Sequence, residues 1–373
     1  MMPQTIYFDY NATTPLDPRV AQAMIPMLHS SWANPASSHF EGQQAKAKLE
    51  ESRKIIANYF QVQPKEIIFT SGGTEGAHLL IHGSLALKNK AHIITSMTEH
   101  PCVFQTVKQL EKQGHPVTYL MPNSGGRIEA KAVEKAICAN TKLIVLMAAN
   151  NETGVKNEWE KVAQLAEYHQ ISFVLDGVGL LGKERFALSN GVTAAFFSGH
   201  KIYAPKGIGF CICRSKTKIT PTFLGGHQEF GKRAGTPNLM GVVALAAAIK
   251  IVEQEQEVIT AHMKKMRDLL EKELLCYVKG VVVNGEEPRV VNTTNLSFTT
   301  IDGENLLIQL DLAGICASHG SACSSGALEP SQTLVSMGLS LNRVRSAIRF
   351  SLGKMTTEQE VKYVIKKIIE IVN

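Results

Sequence analysis

Three side chains in this 373-residue sequence occupy settings that suit covalent chemistry. Lys201 ends Ser198-Gly-His-Lys201, which follows the apolar stretch Thr193–Phe197 and precedes Ile202-Tyr-Ala-Pro-Lys-Gly207. Asp176 closes a second apolar run that begins at Ser172. An amine at one strand end and an acid at another match what pyridoxal phosphate requires. Its aldehyde condenses with the amine, and its ring nitrogen is held protonated by the acid. Taken alone, Lys201 reads as a solvated surface lysine; the surroundings reverse that reading. Cys323, in Gly320-Ser-Ala-Cys-Ser-Ser-Gly326, adds a thiol among small residues. As a thiolate it is a nucleophile; otherwise it is a small residue in a turn.

The stretch Glu66–Thr70 leads into Ser71-Gly-Gly-Thr-Glu-Gly76 and then into a helical pattern. Gly73 permits close backbone approach, Thr74 offers a hydroxyl, and the helix start presents unpaired N–H groups to an anion. An ordinary strand–helix connector fits the same residues, and the Gly-Lys-Ser/Thr ending of a Walker loop is absent. Cys102, two residues beyond His100, is a rival nucleophile, although after Pro101 it is expected to begin a helix and pack inward. His100 itself reads either as a ring-stacking acid/base or as the cap of that helix. Asp176 has helix-terminus or metal readings too, but no convergent His/Cys spacing supports a metal.

These residues need a frame that brings strand ends together. Short apolar runs at Glu66–Thr70, His92–Thr95, Val117–Leu120, Lys142–Met147, Ser172–Leu175, Ala194–Phe197 and Gly209–Cys213 alternate with amphipathic stretches. Such alternation predicts an α/β fold with a mostly parallel sheet covered by helices. A long helical pattern runs from Asn238 to about Cys276, apolar first and amphipathic later, and suits a bridge between two domains. Beyond it, strands at Val281–Asn284, Thr293–Phe298 and Ala347–Ser351 mix with helices into a small α+β domain.

Composition sets the remaining bounds. A hydrophobic content of 44% with 19% charged residues is that of an ordinary globular enzyme. The net charge of +6 comes without a basic run interleaved with aromatics, which argues against nucleic acid. Seven cysteines in scattered positions disfavour a disulfide framework or a zinc ribbon. Cys211 and Cys213 alternate on one face of a strand and read as buried thiols. The first residues lack a signal-peptide pattern, and no apolar segment approaches the about 18 residues that span a bilayer. A reducing cytoplasm is the expected location.

Nine motifs in order resemble those of the cysteine desulfurases, pyridoxal-phosphate enzymes of the class V aminotransferase group. They are Tyr7-Phe-Asp-Tyr-Asn-Ala-Thr-Thr-Pro15, Asn34-Pro-Ala-Ser-Ser-His39, Phe69-Thr-Ser-Gly-Gly-Thr-Glu75, Thr98-Glu-His-Pro101, Ala149-Asn-Asn-Glu-Thr-Gly154, Ser198-Gly-His-Lys201, Arg233-Ala-Gly-Thr-Pro-Asn238, Gly320-Ser-Ala-Cys-Ser-Ser-Gly326 and Ile348-Arg-Phe-Ser-Leu-Gly353. The resemblance implies the pyridoxal-phosphate-dependent transferase fold type I. Residues 14–260 would form the large cofactor-binding domain, and 1–13 with 261–373 the small domain carrying the cysteine loop. It implies that Lys201 holds the cofactor and then moves the substrate's α proton, with His100 stacked on the ring as acid/base. Asp176 would hold the ring nitrogen and Asn151 would approach the ring's hydroxyl side. Gly73, Thr74, Ser198 and His200 would hold the phosphate, with Thr236 reaching it from the partner of a homodimer. Asn34 and Arg349 would hold the substrate carboxylate. L-Cysteine would become L-alanine, its sulfur kept as a persulfide on Cys323 for a protein acceptor in iron–sulfur assembly or tRNA thiolation. The glycines flanking that segment suit a mobile loop.

Three positions depart from the family pattern. Asp176-Gly-Val-Gly179 lacks the glutamine that donates to the cofactor's phenolic oxygen, a bond worth about 0.5–1.5 kcal/mol. His78 stands where asparagine is common, and Gly76 replaces a serine or alanine. A selenocysteine lyase, another class V enzyme without a nucleophilic cysteine, and a non-catalytic sulfur-assembly scaffold are the competing readings.

Overall fold

The computed structural model describes residues 5–29, 32–85, 90–320 and 330–373. In chain order, β1 (Ile6–Tyr7), α1 (Pro18–His29) and α2 (Phe40–Phe60) precede the strand–helix alternation. That alternation comprises β2 (Ile67–Thr70), α3 (Gly73–Leu85), β3 (His92–Ser96), α4 (Pro101–Lys112), β4 (Val117–Leu120), α5 (Ala130–Ala136), β5 (Thr141–Met147), α6 (Trp159–Tyr168), β6 (Ser172–Asp176), β7 (Ala194–Ser198) and β8 (Gly209–Cys213). The long helix α7 (Leu239–Tyr277) leads to β9 (Val281–Val283), β10 (Thr293–Phe298), α8 (Gly303–Leu312) and β11 (Ile315–Cys316). Helices α9 (Gln332–Ser336) and α10 (Leu341–Arg345), strand β12 (Ala347–Ser351) and helix α11 (Glu358–Val372) complete the described chain.

Strands β2 to β8 form one sheet in the order β2-β8-β7-β6-β5-β3-β4. The pairs among β3, β4, β5, β6 and β7 are parallel, whereas β8 runs antiparallel to both β7 and β2. The expected α/β architecture is therefore present, and β8 is where direction reverses. Residues 199–208 are too few for the crossover of a dozen or more that a parallel return needs. Every residue of β2, β3, β7 and β8 is buried, as strands covered by helices on both faces require. Phe197 and Phe210 face each other in register across β7 and β8, their rings stacked 4.8 Å apart. Cys211 and Cys213 are buried on one face of β8.

The apolar residues fall into separate clusters. One lies between the sheet and α1, α2 and the first half of α7, and a second under α3 and α4. A third gathers Ile6 and Phe8 with Met266, Leu270 and Leu274 of α7, the sheet β12-β10-β9 and α11. Thus α7 changes cores between Val252 and Met266. On that split we propose the division 14–260 against 1–13 with 261–373.

Caps set the long helices. Asn238 accepts the Gly241 N–H at the start of α7, and Thr357 with Glu360 forms a reciprocal capping box for α11. Because β2 points the same way as β3, β5, β6 and β7, the carboxyl ends of these five strands share one edge of the sheet. In open α/β sheets that edge is where ligands bind.

Candidate active site

A cavity of about 190 Å³ opens at that edge, and the turns after the strands deliver side chains to it. Gly73 and Thr74 begin α3, so the backbone N–H groups of a 13-residue helix start at the cavity wall. Ser198 ends β7, and His200 and Lys201 lie in the 3-10 turn Gly199–Lys201 that follows. Opposite them, Asp176 ends β6, buried, with one carboxylate oxygen accepting the Val178 N–H at 2.9 Å. Burial pushes its pKa up to about 6, against the opposing pull of that bond and of Lys201.

The opening segment folds over the lysine. The Lys201 ammonium donates to the carbonyl of Asn11 and, at 2.8 Å, to that of Ala12. Thr14 donates to the His200 carbonyl at 2.9 Å and accepts the Tyr203 N–H at 2.7 Å, which fixes the turn. His200 Nδ1 lies 3.1 Å from the Thr13 hydroxyl. Burial, then Lys201 and Lys206, holds the pKa of His200 down to about 4.

His100 has the helix-cap role of one of its expected readings, and it stands at the cavity. It caps α4, its Nδ1 accepting the Cys102 N–H at 3.2 Å, and it also lines the cavity. A nitrogen that accepts a backbone N–H carries no proton, so the neutral ring is assigned the Nε2–H tautomer. Burial first and Lys201 second lower its pKa to about 4. Cys102 begins the helix and packs inward in part, as expected. It lies against the α3–α4 core, yet it is half-buried, lines the cavity and places Sγ 3.0 Å from His100 Nδ1. The pairing is local, because a residue two positions past a cap points back toward the capping side chain.

Arg349, in the middle of β12, reaches the same cavity from the small sheet. It donates to Asp9 at 2.6 Å and to the Asn151 carbonyl at 3.1 Å, while its Nε is buried without a hydrogen-bond partner. Asn151 lines the cavity beside it. Two expected residues stand elsewhere. Asn34 is exposed, its side chain accepting the Ala36 N–H at 2.9 Å, and it does not line the cavity. Thr236 is exposed in a separate recess with Ser71, Arg233 and Asn238. Cys323 lies outside the described residues. On either side of its segment, Ser318 pairs with Arg349 through the backbone, and the Ser331 hydroxyl donates to Glu152 at 2.6 Å.

The departures have physical causes. A side chain at 179 would place Cβ 2.7 Å from the Ala149 carbonyl oxygen, so this backbone has no room for glutamine. At Gly76 a Cβ would lie 2.8 Å from Phe196 and 2.9 Å from the Cys211 sulfur, which seats α3 close on the sheet. His78 lies outside the cavity and packs on His82, ring centroids 4.2 Å apart.

Three participants escaped the sequence reading. Asp9, within the opening motif, pairs Arg349. Glu99 accepts from the Ser96 hydroxyl at 2.6 Å and the Met147 N–H at 3.2 Å, and its other oxygen is buried without a partner. Burial, reinforced by Asp176, pushes the Glu99 pKa to about 8, so it is protonated at neutrality. Lys183, seven positions after Asp176, lines the cavity although nothing in its sequence setting marks it.

The aminotransferase class-V family model matches residues 6–364, and the chain belongs to that family. The cysteine desulfurase of Nostoc sp. (strain PCC 7120 / SAG 25.82 / UTEX 2576) is 41% identical over 370 residues, covering 98% of this chain and 92% of that one. Among solved structures, a NifS-like protein superposes with a TM-score of 0.93 at 35% identity, covering 99% of each chain. SspA in complex with cysteine superposes with a TM-score of 0.84 at 32% identity, covering 95% of this chain and all of that one. The fold is that of the type I pyridoxal-phosphate-dependent transferases, and the relatives are cysteine desulfurases.

Proposed function

We propose that this chain is a pyridoxal-phosphate-dependent cysteine desulfurase that converts L-cysteine to L-alanine and keeps the sulfur on Cys323. The observation that carries the reading is one cavity shared by an amine, a buried acid, an anion-accepting helix end and an arginine. The chemistry of this set fits the cofactor. Asp176 has one carboxylate oxygen bonded by Val178 and lines the cavity, which suits a protonated ring nitrogen. Gly73, Thr74, Ser198 and His200 lie together at the α3 end, which suits a phosphate. Asn151 would stand at the ring's hydroxyl side. When bound, pyridoxal phosphate supplies an electron-withdrawing ring that takes up the pair left as the substrate's α proton departs.

The chain's own groups do the rest. Lys201 moves the proton at the substrate's α-carbon, and its bonds to the Asn11 and Ala12 carbonyls set where its amine starts. His100, neutral and carrying its proton on Nε2, would stack on the ring and offer a donor there. Arg349 lines the cavity and would hold the substrate carboxylate through its guanidinium, whose plane Asp9 holds. The Cys323 thiolate attacks the substrate sulfur, forming an S–S bond as the C–S bond breaks. The pair from that bond stays with the substrate, which takes up a proton and leaves as alanine. L-Cysteine plus thiol gives L-alanine plus persulfide, so atoms and electrons balance. SspA, solved with cysteine, supports this choice of substrate.

We further propose a homodimer in which Thr236 serves the neighbouring cavity; its exposure outside its own chain's cavity supports this. Asn34 would act with Arg349 on the substrate carboxylate. None of the described cysteines is disulfide-bonded, and no described helix is long and apolar enough to cross a membrane. The first fact supports a cytoplasmic location, with delivery of sulfur to a protein acceptor of iron–sulfur assembly or tRNA thiolation. Borohydride treatment followed by peptide mapping tests the cofactor assignment. A pyridoxyl group on Lys201, absent from Lys201→Ala, is expected; labelling of another lysine, or of none, contradicts the assignment.

A further inference from the structure

Lys183 is 3% exposed, yet it lines the reaction cavity. Its ammonium donates to the Lys201 carbonyl at 3.4 Å, and among the described residues it makes no ion pair. The Thr260 hydroxyl of α7 donates to its backbone carbonyl at 2.9 Å, which ties its position to the long helix. A buried cation is ordinarily paired with an anion, because leaving water is costly unless an opposite charge replaces the lost hydration. Asp176 and Glu99, the buried acids of the cavity region, make no salt bridge to it. Burial, with the charge of Lys201, holds the Lys183 pKa down to about 8, so much of it remains protonated near neutrality. Gly179, four residues before Lys183, lines the same cavity without a side chain, and the Ala149 carbonyl 2.7 Å from its Cβ position blocks one.

From this geometry we infer that Lys183 is a cofactor-binding residue whose ammonium pairs with the phenolic oxyanion of bound pyridoxal phosphate, in the cavity where Gly179 has no donor. The inference rests on the cofactor assignment above. A charged donor is the stronger partner for an oxyanion than the neutral amide that the backbone at 179 excludes. The same pairing resolves the otherwise uncompensated charge of Lys183.

The Lys183→Met variant keeps the buried volume and removes the charge. In protein dialysed free of cofactor, its thermal midpoint is expected to equal or exceed that of the parent, since a lone buried charge has been deleted. Its Kd for pyridoxal phosphate, from fluorescence titration, is expected to rise about tenfold or more, the effect of losing a charge-assisted hydrogen bond. With 3-O-methyl pyridoxal phosphate, which cannot form the oxyanion, parent and variant are expected to bind alike. Lys183→Gln, which keeps a donor, should recover part of the affinity. Equal Kd values for pyridoxal phosphate in parent and Lys183→Met overturn the inference. So does a loss confined to L-alanine binding, which would assign the ammonium to the substrate carboxylate. A parent protein that takes up no pyridoxal phosphate contradicts the cofactor assignment itself, and the inference with it.

Discussion

The Sγ of Cys102 lies 3.0 Å from Nδ1 of His100, the nitrogen that also accepts the Cys102 N–H at 3.2 Å. The backbone donor alone can hold the ring, so the thiol is an addition to an existing cap. Cys102→Ala is therefore expected to keep alanine formation within about tenfold of the parent, the loss of one hydrogen bond. Cys323→Ala is expected to lower it by about a thousandfold or more, as removal of a nucleophile does. Steady-state alanine assays of both variants decide which thiol receives sulfur, and the reverse ranking would make Cys102 the acceptor.

Arg349 is held by Asp9 on one nitrogen and by the Asn151 carbonyl on another. Lysine keeps the charge but not the planar fork, so it cannot satisfy Asp9, Asn151 and a substrate carboxylate together. Arg349→Lys should raise KM for L-cysteine by about tenfold or more, with a smaller change in kcat. An unchanged KM would place substrate recognition elsewhere.

His100 and His200 bind protons less tightly when folded, with pKa values near 4, than in an unfolded chain, where histidine titrates near 6.5. Between about pH 6.5 and 4 the unfolded chain holds more protons at these sites, so their contribution to stability falls as pH falls. Asp176 acts in the opposite sense, because its folded pKa of about 6 lies above the ordinary carboxylate value. Replacing His100 by Asn should isolate the first effect. Relative to the parent, the variant gains roughly 1–3 kcal/mol on going from pH 7 to about 4.5. Urea midpoints at the two pH values measure the gain, and parallel losses in both proteins would mean the ring is protonated when folded.

Glu229 accepts both Arg53 guanidinium nitrogens at 2.8 Å and the Phe69 N–H at 2.8 Å, all of it buried. It lies between β2 and the loop that carries Arg233 and Thr236. Glu229→Ala removes the buried partner of Arg53, leaves it the partly exposed Glu50 at 3.2 Å and the Ile67 carbonyl at 2.8 Å, and strands the Phe69 N–H, so it should cost about 3–5 kcal/mol in urea unfolding. A cost below about 1 kcal/mol would show that Glu50 and water suffice for Arg53.

Much of this architecture was legible because its signals are local. The run Ser172–Asp176 needs no partner to be read as a buried strand, and Thr357 with Glu360 announces α11 unaided. Lys201 and Asp176 were readable as a pair because Asp176 ends one such run and Lys201 lies in the turn directly after another. What escaped depends on the third dimension. The reversal at β8 follows from a connection too short for a crossover, and the Asp9–Arg349 bond joins positions 340 residues apart. Lys183 carries no mark in sequence beyond a preceding glycine, since only burial against the cavity makes its charge significant. The helix-start position of Cys102 predicted its packing on the α3–α4 core, while its contact with His100 comes from the curl of the first turn.

The central claim is that the sulfur released in the Lys201 cavity is collected by Cys323. Holoenzyme mixed with L-cysteine and no acceptor, quenched within one turnover, allows alanine and persulfide to be counted together by mass spectrometry. One alanine per Cys323 persulfide is the predicted result; alanine formed while Cys323 stays unmodified contradicts the account.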